Sequence, residues 1–312
     1  MNMWWNKGLK RAFVTKEGAL RGPWLTLLLV AGWYALMLGT TYAFSHLCDA
    51  LMRSWGVTTL NLSLAPKGVQ YLARQYLRLS GILGNLLFAL CCWLLMRKCR
   101  RKQHLLPASL AFPAGAAAAA LTAGLFLLTD SMRVNTARAN WNGDVPTLLA
   151  VLLAASLAEA LAARGVLLFW PQGKFRRLRG YVLATAASFV MTGVYGLAPV
   201  GWLNGVLISL LLCALAEKFG WLSTALLRTG WRWVSVAVLG FPGGGCIPVW
   251  SLYALSEKAL TGGNDGLACG LWVTVLCLGG LALVFRREII YFFREKKYTK
   301  RTKTKANGSE RS

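Results

Sequence analysis

Histidine is nearly missing from the chain: His46 and His104 are the only two in 312 residues. Acidic residues are scarce as well, 11 Asp and Glu against 35 Lys and Arg. A site that needs several histidines or carboxylates has little to draw on. The eight cysteines, Cys48, Cys91, Cys92, Cys99, Cys213, Cys246, Cys269 and Cys277, contain no C-x-x-C pair. That absence argues against a zinc site or a disulfide framework, and most of these cysteines sit in or beside apolar runs as small packing residues. Cys48 and Cys246 both fall on the expected outer side, which leaves a bridge between them open. No repeat recurs at a solenoid period. The first apolar run, Trp24 to Leu47, has no A-x-A cleavage site and is too long for a signal-peptide core, so it reads as a retained first span.

Apolar residues are abundant instead. The chain is 56% hydrophobic and only 15% charged, with a mean hydropathy of +0.49. This composition is that of an integral membrane protein. The net charge of +24 would suggest nucleic acid in a soluble chain. Here the charge lies in blocks next to apolar runs and no RNA- or DNA-binding motif accompanies it, so the positive-inside rule accounts for it and nucleic acid is not an expected partner.

The fold class expected is an all-α integral membrane protein with about eight transmembrane helices. The spans fall near Trp24–Leu47, Leu79–Met96, Leu105–Leu128, Thr147–Trp170, Tyr181–Leu197, Trp202–Ala216, Trp221–Phe241 and Leu267–Phe285. Cys48 to Leu77 and Asp130 to Pro146 read as polar connections, and Pro113 as a bend in the third span. With both termini in the cytoplasm, 25 Lys and Arg fall on the inner side, 7 on the outer side and 3 within spans. That split favours eight crossings, N-in and C-in. The chain divides into a cytoplasmic interfacial segment (1–22), three N-terminal helices (23–146), a core of four helices (147–241), an external loop with the last helix (242–285) and a polybasic cytoplasmic tail (286–312). In the first segment Trp5, Leu9 and Phe13 recur at helical spacing, as on a helix lying at the membrane surface. The tail is expected to bind anionic lipid, at about 1 kcal/mol per basic residue near the surface. Pro242-Gly243-Gly244-Gly245 matches no phosphate loop and reads as a flexible connection.

The stretch around which the rest is organised is Thr147 to Trp170, TLLAVLLAASLAEALAARGVLLFW. It has the length of a span, yet holds Glu159 near its middle and Arg164 toward its cytoplasmic end, where the side chain is expected to snorkel. An ionisable group at the centre of a span costs several kcal/mol, about 2.5–3.5 on an insertion scale, unless something compensates it. The seventh span carries Arg228 and Arg232, four apart and so on one helical face. Two cations on one face in a membrane need an anion or water. Glu159 and Arg228 are expected to form a buried pair, with Arg232 to one side.

Glu159-Ala-Leu-Ala-Ala-Arg164-Gly165-Val166-Leu167 resembles the E-E-x-x-x-R-G-x-L motif of the CAAX protease and bacteriocin-processing family of intramembrane metalloproteases. Ala160 stands where the family has its second Glu. Phe189-Val-Met-Thr-Gly193 is similar to the family's F-x-x-x-H, with Gly193 in place of the His. Trp202-Leu203-Asn204-Gly205 resembles the F-x-x-G segment. Gly220-Trp-Leu222 leads to Arg228-Thr-Gly-Trp-Arg232 at the place of H-x-x-x-N. The resemblance runs from Thr147 to Phe241. It implies a protease-like helical core, with Glu159 and Arg164 at catalytic positions and Ala160, Gly193, Arg228 and Arg232 at substituted ones. An intact member is expected to hold zinc through its histidines; this chain keeps the base and lacks those ligands, so no metal or other cofactor is expected.

The leading functional expectation is therefore a catalytically impaired relative, a pseudoenzyme of the bacterial plasma membrane that uses the old cavity to bind a membrane peptide, a lipid or a protein partner. The alternatives are an active CAAX-type or bacteriocin-processing endopeptidase with altered chemistry, and a small anion transporter or channel lined by the arginines and Glu159.

Overall fold

The computed structural model describes residues 21–54, 56, 67–97, 108–134, 143–170, 175–191, 199–241, 248–250, 252–254 and 267–286. Residues 1–20 of the interfacial segment, Gly193, Cys246, His104 and nearly all of the polybasic tail lie outside these residues. Among the described residues the chain forms eight helices: α1 (Gly22–Ser54), α2 (Lys67–Met96), α3 (Ala108–Leu128), α4 (Asp144–Leu167), α5 (Arg176–Met191), α6 (Pro199–Phe219), α7 (Trp221–Trp233) and α8 (Leu271–Val284). The last eight residues of α4, Ala160–Leu167, are wound as a π-helix. A shorter π-helical turn, Val234–Val238, continues α7.

Five of these helices, α1, α2, α3, α4 and α6, are long and apolar enough to cross a membrane. Large apolar side chains such as Leu38, Leu121, Leu128, Val182 and Leu283 stand exposed on the outside of the bundle. In water such a surface would drive aggregation, whereas in hydrocarbon it is the natural lipid contact. The described residues form an almost wholly helical, multi-pass membrane protein.

Helix α4 sits at the centre. Ala158, Ala162, Ala163, Val166 and Leu167 pack with Phe88, Ala89 and Cys92 of α2, Ala184 and Ala187 of α5, Cys213 and Ala216 of α6, and Leu25 and Leu29 of α1. Small side chains allow this approach from several directions, because without a hydrophobic drive in lipid the helices associate through close contact. Helices α3 and α7 meet most closely of all, at Gly115 and Gly230. A Cβ on Gly115 would collide with the carbonyl of Leu227, and one on Gly230 with the carbonyl of Phe112. The tight connection between α6 and α7 turns at Gly220, whose φ of 88° and ψ of 161° are open essentially to glycine alone.

Contacts between helix ends sort into two groups. At one end, Arg177 of α5 donates to Glu217 of α6 through Nε at 3.1 Å and Nη2 at 2.9 Å, and Lys218 of α6 reaches the carbonyl of Val284 on α8. Toward the other end, Arg78 of α2 donates to Asp144 of α4 at 2.6 Å. There the indole of Trp233, in α7, donates to the carbonyl of Val145 at 3.1 Å. Asn204 of α6 donates to the carbonyls of Ala268 and Gly270 just before α8, at 2.8 and 2.9 Å. A two-stranded antiparallel ribbon lies at this second end. It pairs β1 (Met132–Val134) with β2 (Leu252–Ala254), Arg133 standing opposite Tyr253.

Several boundaries differ from the expectation, each for a local reason. The supposed polar stretch Cys48–Leu77 is largely helix: α1 runs on to Ser54 and α2 begins at Lys67. Cys48, Met52 and Ala73 pack together and turn this polar-looking region inward. Cys48 is a free, buried thiol there. Helix α4 begins at Asp144, so the division at 146/147 falls inside it. Asp144 looked like a loop residue but is buried, because Arg78 and Gln75 donate to Oδ1 at 2.6 and 2.8 Å and Arg74 lies 3.8 Å from Oδ2. Pro199, which falls between the fifth and sixth expected spans, opens α6. A proline at the first helical position loses no hydrogen bond. Helix α5 starts at Arg176, earlier than the apolar run suggested. Helix α3 continues through Pro113.

Candidate functional site

Glu159 lies where α4 passes from α-helical to π-helical winding. Three side chains from three helices converge on its Oε1. Arg164 of α4 donates from Nη1 at 3.0 Å, and Arg228 of α7 donates from Nη1 at 2.6 Å. The hydroxyl of Ser188 on α5 completes the set. The centre is sealed: Glu159 is 2% exposed, Arg164 and Ser188 0%, and Arg228 5%.

The winding of α4 explains the first of these contacts. At 3.6 residues per turn, residues five apart point about 140° away from each other. In the π-helical segment hydrogen bonds run from i+5 to i, as from the amide of Leu168 to the carbonyl of Ala163 at 2.9 Å. Residues five apart then stand roughly one turn apart on one face. Glu159 and Arg164 meet for that reason. Arg164 therefore does not snorkel, which corrects the expectation: it is wholly buried and spends one arm on Glu159. Cβ-free Gly165 lets the same turn lie against α2, where a side chain would press on the sulfur of Met96 at 3.1 Å.

Arg228 reaches the carboxylate from a buried face of α7 that it shares with Thr224, Ala225 and Thr229. Arg232 follows one turn later and is half-buried. Ala160 is fully buried beside Glu159. Ser188 is the member that sequence reasoning missed. Its only signal was a hydroxyl four residues before Thr192 and one before Phe189, in a stretch with many small polar residues. His46 stands far along α1 with its ring against Tyr42, centroids 4.3 Å apart.

No family model, no curated protein and no solved structure matches the chain. The centre has to be read from its own chemistry.

That chemistry does not suit zinc, the metal that the resemblance of the sequence motifs implies for an intact protease. Catalytic zinc takes three protein ligands. Among the described residues no three His, Cys, Asp or Glu come together. The one carboxylate of the centre is flanked by two guanidinium groups, whose charge opposes a divalent cation. What the arrangement does offer is cationic. One carboxylate and two guanidiniums in direct contact sum to a formal charge of +1.

Proposed function

We propose that the chain is a protein of the bacterial plasma membrane with eight crossings and both termini in the cytoplasm. Its core resembles those of CAAX-type intramembrane endopeptidases, and it binds a membrane peptide, a lipid or a protein partner without hydrolysing it. The observation that carries this reading is the state of Glu159. A general base must turn a free lone pair toward the water it deprotonates. Oε1 of Glu159 is instead taken up by Arg164, Arg228 and Ser188, and the two guanidiniums engage the negative charge that a base would bring to bear. The residue that would act as base has become the keystone of a charged, sealed contact.

The purified protein is expected to leave prenylated C-a-a-X peptides and bacteriocin precursors intact over hours of incubation, by mass spectrometry of the peptide. Cleavage that vanishes in Glu159→Gln would overturn the binding reading in favour of an active endopeptidase.

The eight crossings are supported by the two groups of helix-end contacts, which alternate along the chain as successive crossings require. They agree with the 25-to-7 distribution of basic residues. A reporter fused after Gly180 should read cytoplasmic and one fused near Gly262 external. An external signal at Gly180 would break the span count. The basic tail would add contact with anionic lipid on the inner leaflet.

A further inference from the structure

The first turns of α1 and α5 bring exposed cations together on the outer wall of the bundle. A Cβ on Gly22, which opens α1, would collide with the side chain of Leu183, so the start of α1 lies directly against α5. Leu25 and Leu29 extend the contact, in one cluster with Ala184 and Ala187. Arg176 stands seven residues before Leu183 and Arg179 four, so all three share the flank of α5 that faces α1. Arg21 immediately precedes Gly22. Arg21, Arg176 and Arg179 are exposed, and neither helix has an acidic residue in its first turn. Arg177 points to the opposite flank, where Glu217 pairs with it. The ion pairs among the described residues include none of the other three arginines.

An apolar stripe borders these cations. Phe175, Leu178 and Val182 are 59%, 65% and 58% exposed. Their spacing of three and four puts them on one face of α5, next to Arg179. Such a face on a membrane-spanning bundle meets acyl chains. The three arginines therefore stand where head groups give way to hydrocarbon.

The positive-inside rule accounts for the side of the membrane on which these arginines lie, but not for their gathering on one lipid-facing flank. They do not serve the helices either, because a cation at a helix start opposes the macrodipole. A phosphate diester answers both points. It brings the missing negative charge, and its oxygens suit the paired donors of a guanidinium. Basic sites between transmembrane helices at the cytoplasmic side take anionic head groups in this way. We propose that Arg21, Arg176 and Arg179 hold the head group of an anionic phospholipid at the junction of α1 and α5, with an acyl chain along Leu178 and Val182. This surface is part of the folded bundle and separate from the basic tail. From the reading above it takes only the orientation that places this end at the inner leaflet.

The test uses the full chain in nanodiscs of phosphatidylcholine. A small fraction of either phosphatidylglycerol or phosphatidylcholine with a photoactivatable acyl chain is included, and labelled peptides are mapped by mass spectrometry after irradiation. The peptide containing Phe175–Val182 is expected to take up the anionic probe at least about tenfold more than the zwitterionic one. Joint replacement Arg21→Gln, Arg176→Gln and Arg179→Gln should remove that preference, and the three corresponding Lys substitutions should keep part of it. Joint replacement Lys300→Gln, Arg301→Gln and Lys303→Gln in the tail should leave it intact. Excess inorganic phosphate should not compete, because it has no acyl chain to lie on the stripe. Equal labelling by the two probes overturns the proposal. So does a preference that survives the three Gln substitutions in the bundle, that disappears with the tail substitutions, or that inorganic phosphate abolishes. Nanodiscs present both faces of the bilayer alike, so these results do not depend on orientation. A wrong orientation would show in the reporter at Gly180 and not here.

Discussion

Glu159→Ala is expected to be the most damaging single change in the charged centre, and Arg228→Ala a milder one. The three donors on Oε1 make the two substitutions unequal. Removing Glu159 strands two guanidiniums against each other in a sealed interior. Breaking a buried pair in this way typically costs about 3–5 kcal/mol. Removing Arg228 leaves a neutral Glu159–Arg164 pair with Ser188 still in place, so the loss there should be nearer 1–3 kcal/mol, about the value of a charged hydrogen bond. The double variant keeps a single unpaired cation, Arg164. It should be less destabilised than the sum of the two single losses, because the repulsion between the arginines has gone. Thermal denaturation in detergent measures all four proteins without depending on any activity. Equal losses for the two single variants, or strict additivity, would mean that the three charges do not act as one group.

This centre was only partly legible in the sequence. Glu159 declared itself, because a carboxylate near the middle of an apolar run has no other explanation than a compensated charge. Arg228 followed from the same cost argument and from the motif order that set α4 against α7. Arg164 was misplaced because it lies toward the cytoplasmic end of the span, where a long cationic side chain is expected to snorkel. Only the wider winding of Ala160–Leu167 brings it onto the face of Glu159, and nothing in A-L-A-A-R-G-V-L announces that winding. Ser188 was invisible for a different reason. Serine is common in helices that pack closely in membranes, and its role depends on where α5 lies rather than on its own neighbours in sequence.

The fold shows the same division. Apolar runs located the long helices, since hydropathy is the property a bilayer selects. Their ends were harder. Asp144 reads as a loop residue by composition, and becomes buried only because Arg78, Gln75 and Arg74 of α2 are within reach of it. The pairing of Met132–Val134 with Leu252–Ala254 joins segments far apart in the chain. Three-residue strands are too short for an alternation pattern to identify.

Gly115→Ala should be the most damaging of the small substitutions outside the charged centre. Helix α3 and helix α7 cross with backbone against backbone at this point. The added methyl would meet the carbonyl of Leu227, and main chain cannot rotate aside as a side chain can. The helices must separate. Overpacking a tight site costs 1–3 kcal/mol, and collision with backbone belongs near the upper end, about 3 kcal/mol. The consequence reaches the charged centre, because Leu227 is next to Arg228. A shift of α7 away from α3 alters the 2.6 Å contact between Arg228 and Glu159. Gly124→Ala, on the same helix, is the control. A Cβ there meets nothing within 4 Å, and replacing a helical glycine with alanine stabilises the helix by up to about 1 kcal/mol. Melting temperatures of the two variants in one detergent should therefore move in opposite directions, down for Gly115→Ala and level or up for Gly124→Ala. A common drop would show that glycine at these positions serves the helix itself and not the approach of α7. The close α3–α7 crossing would then lose its part in holding Arg228 against Glu159.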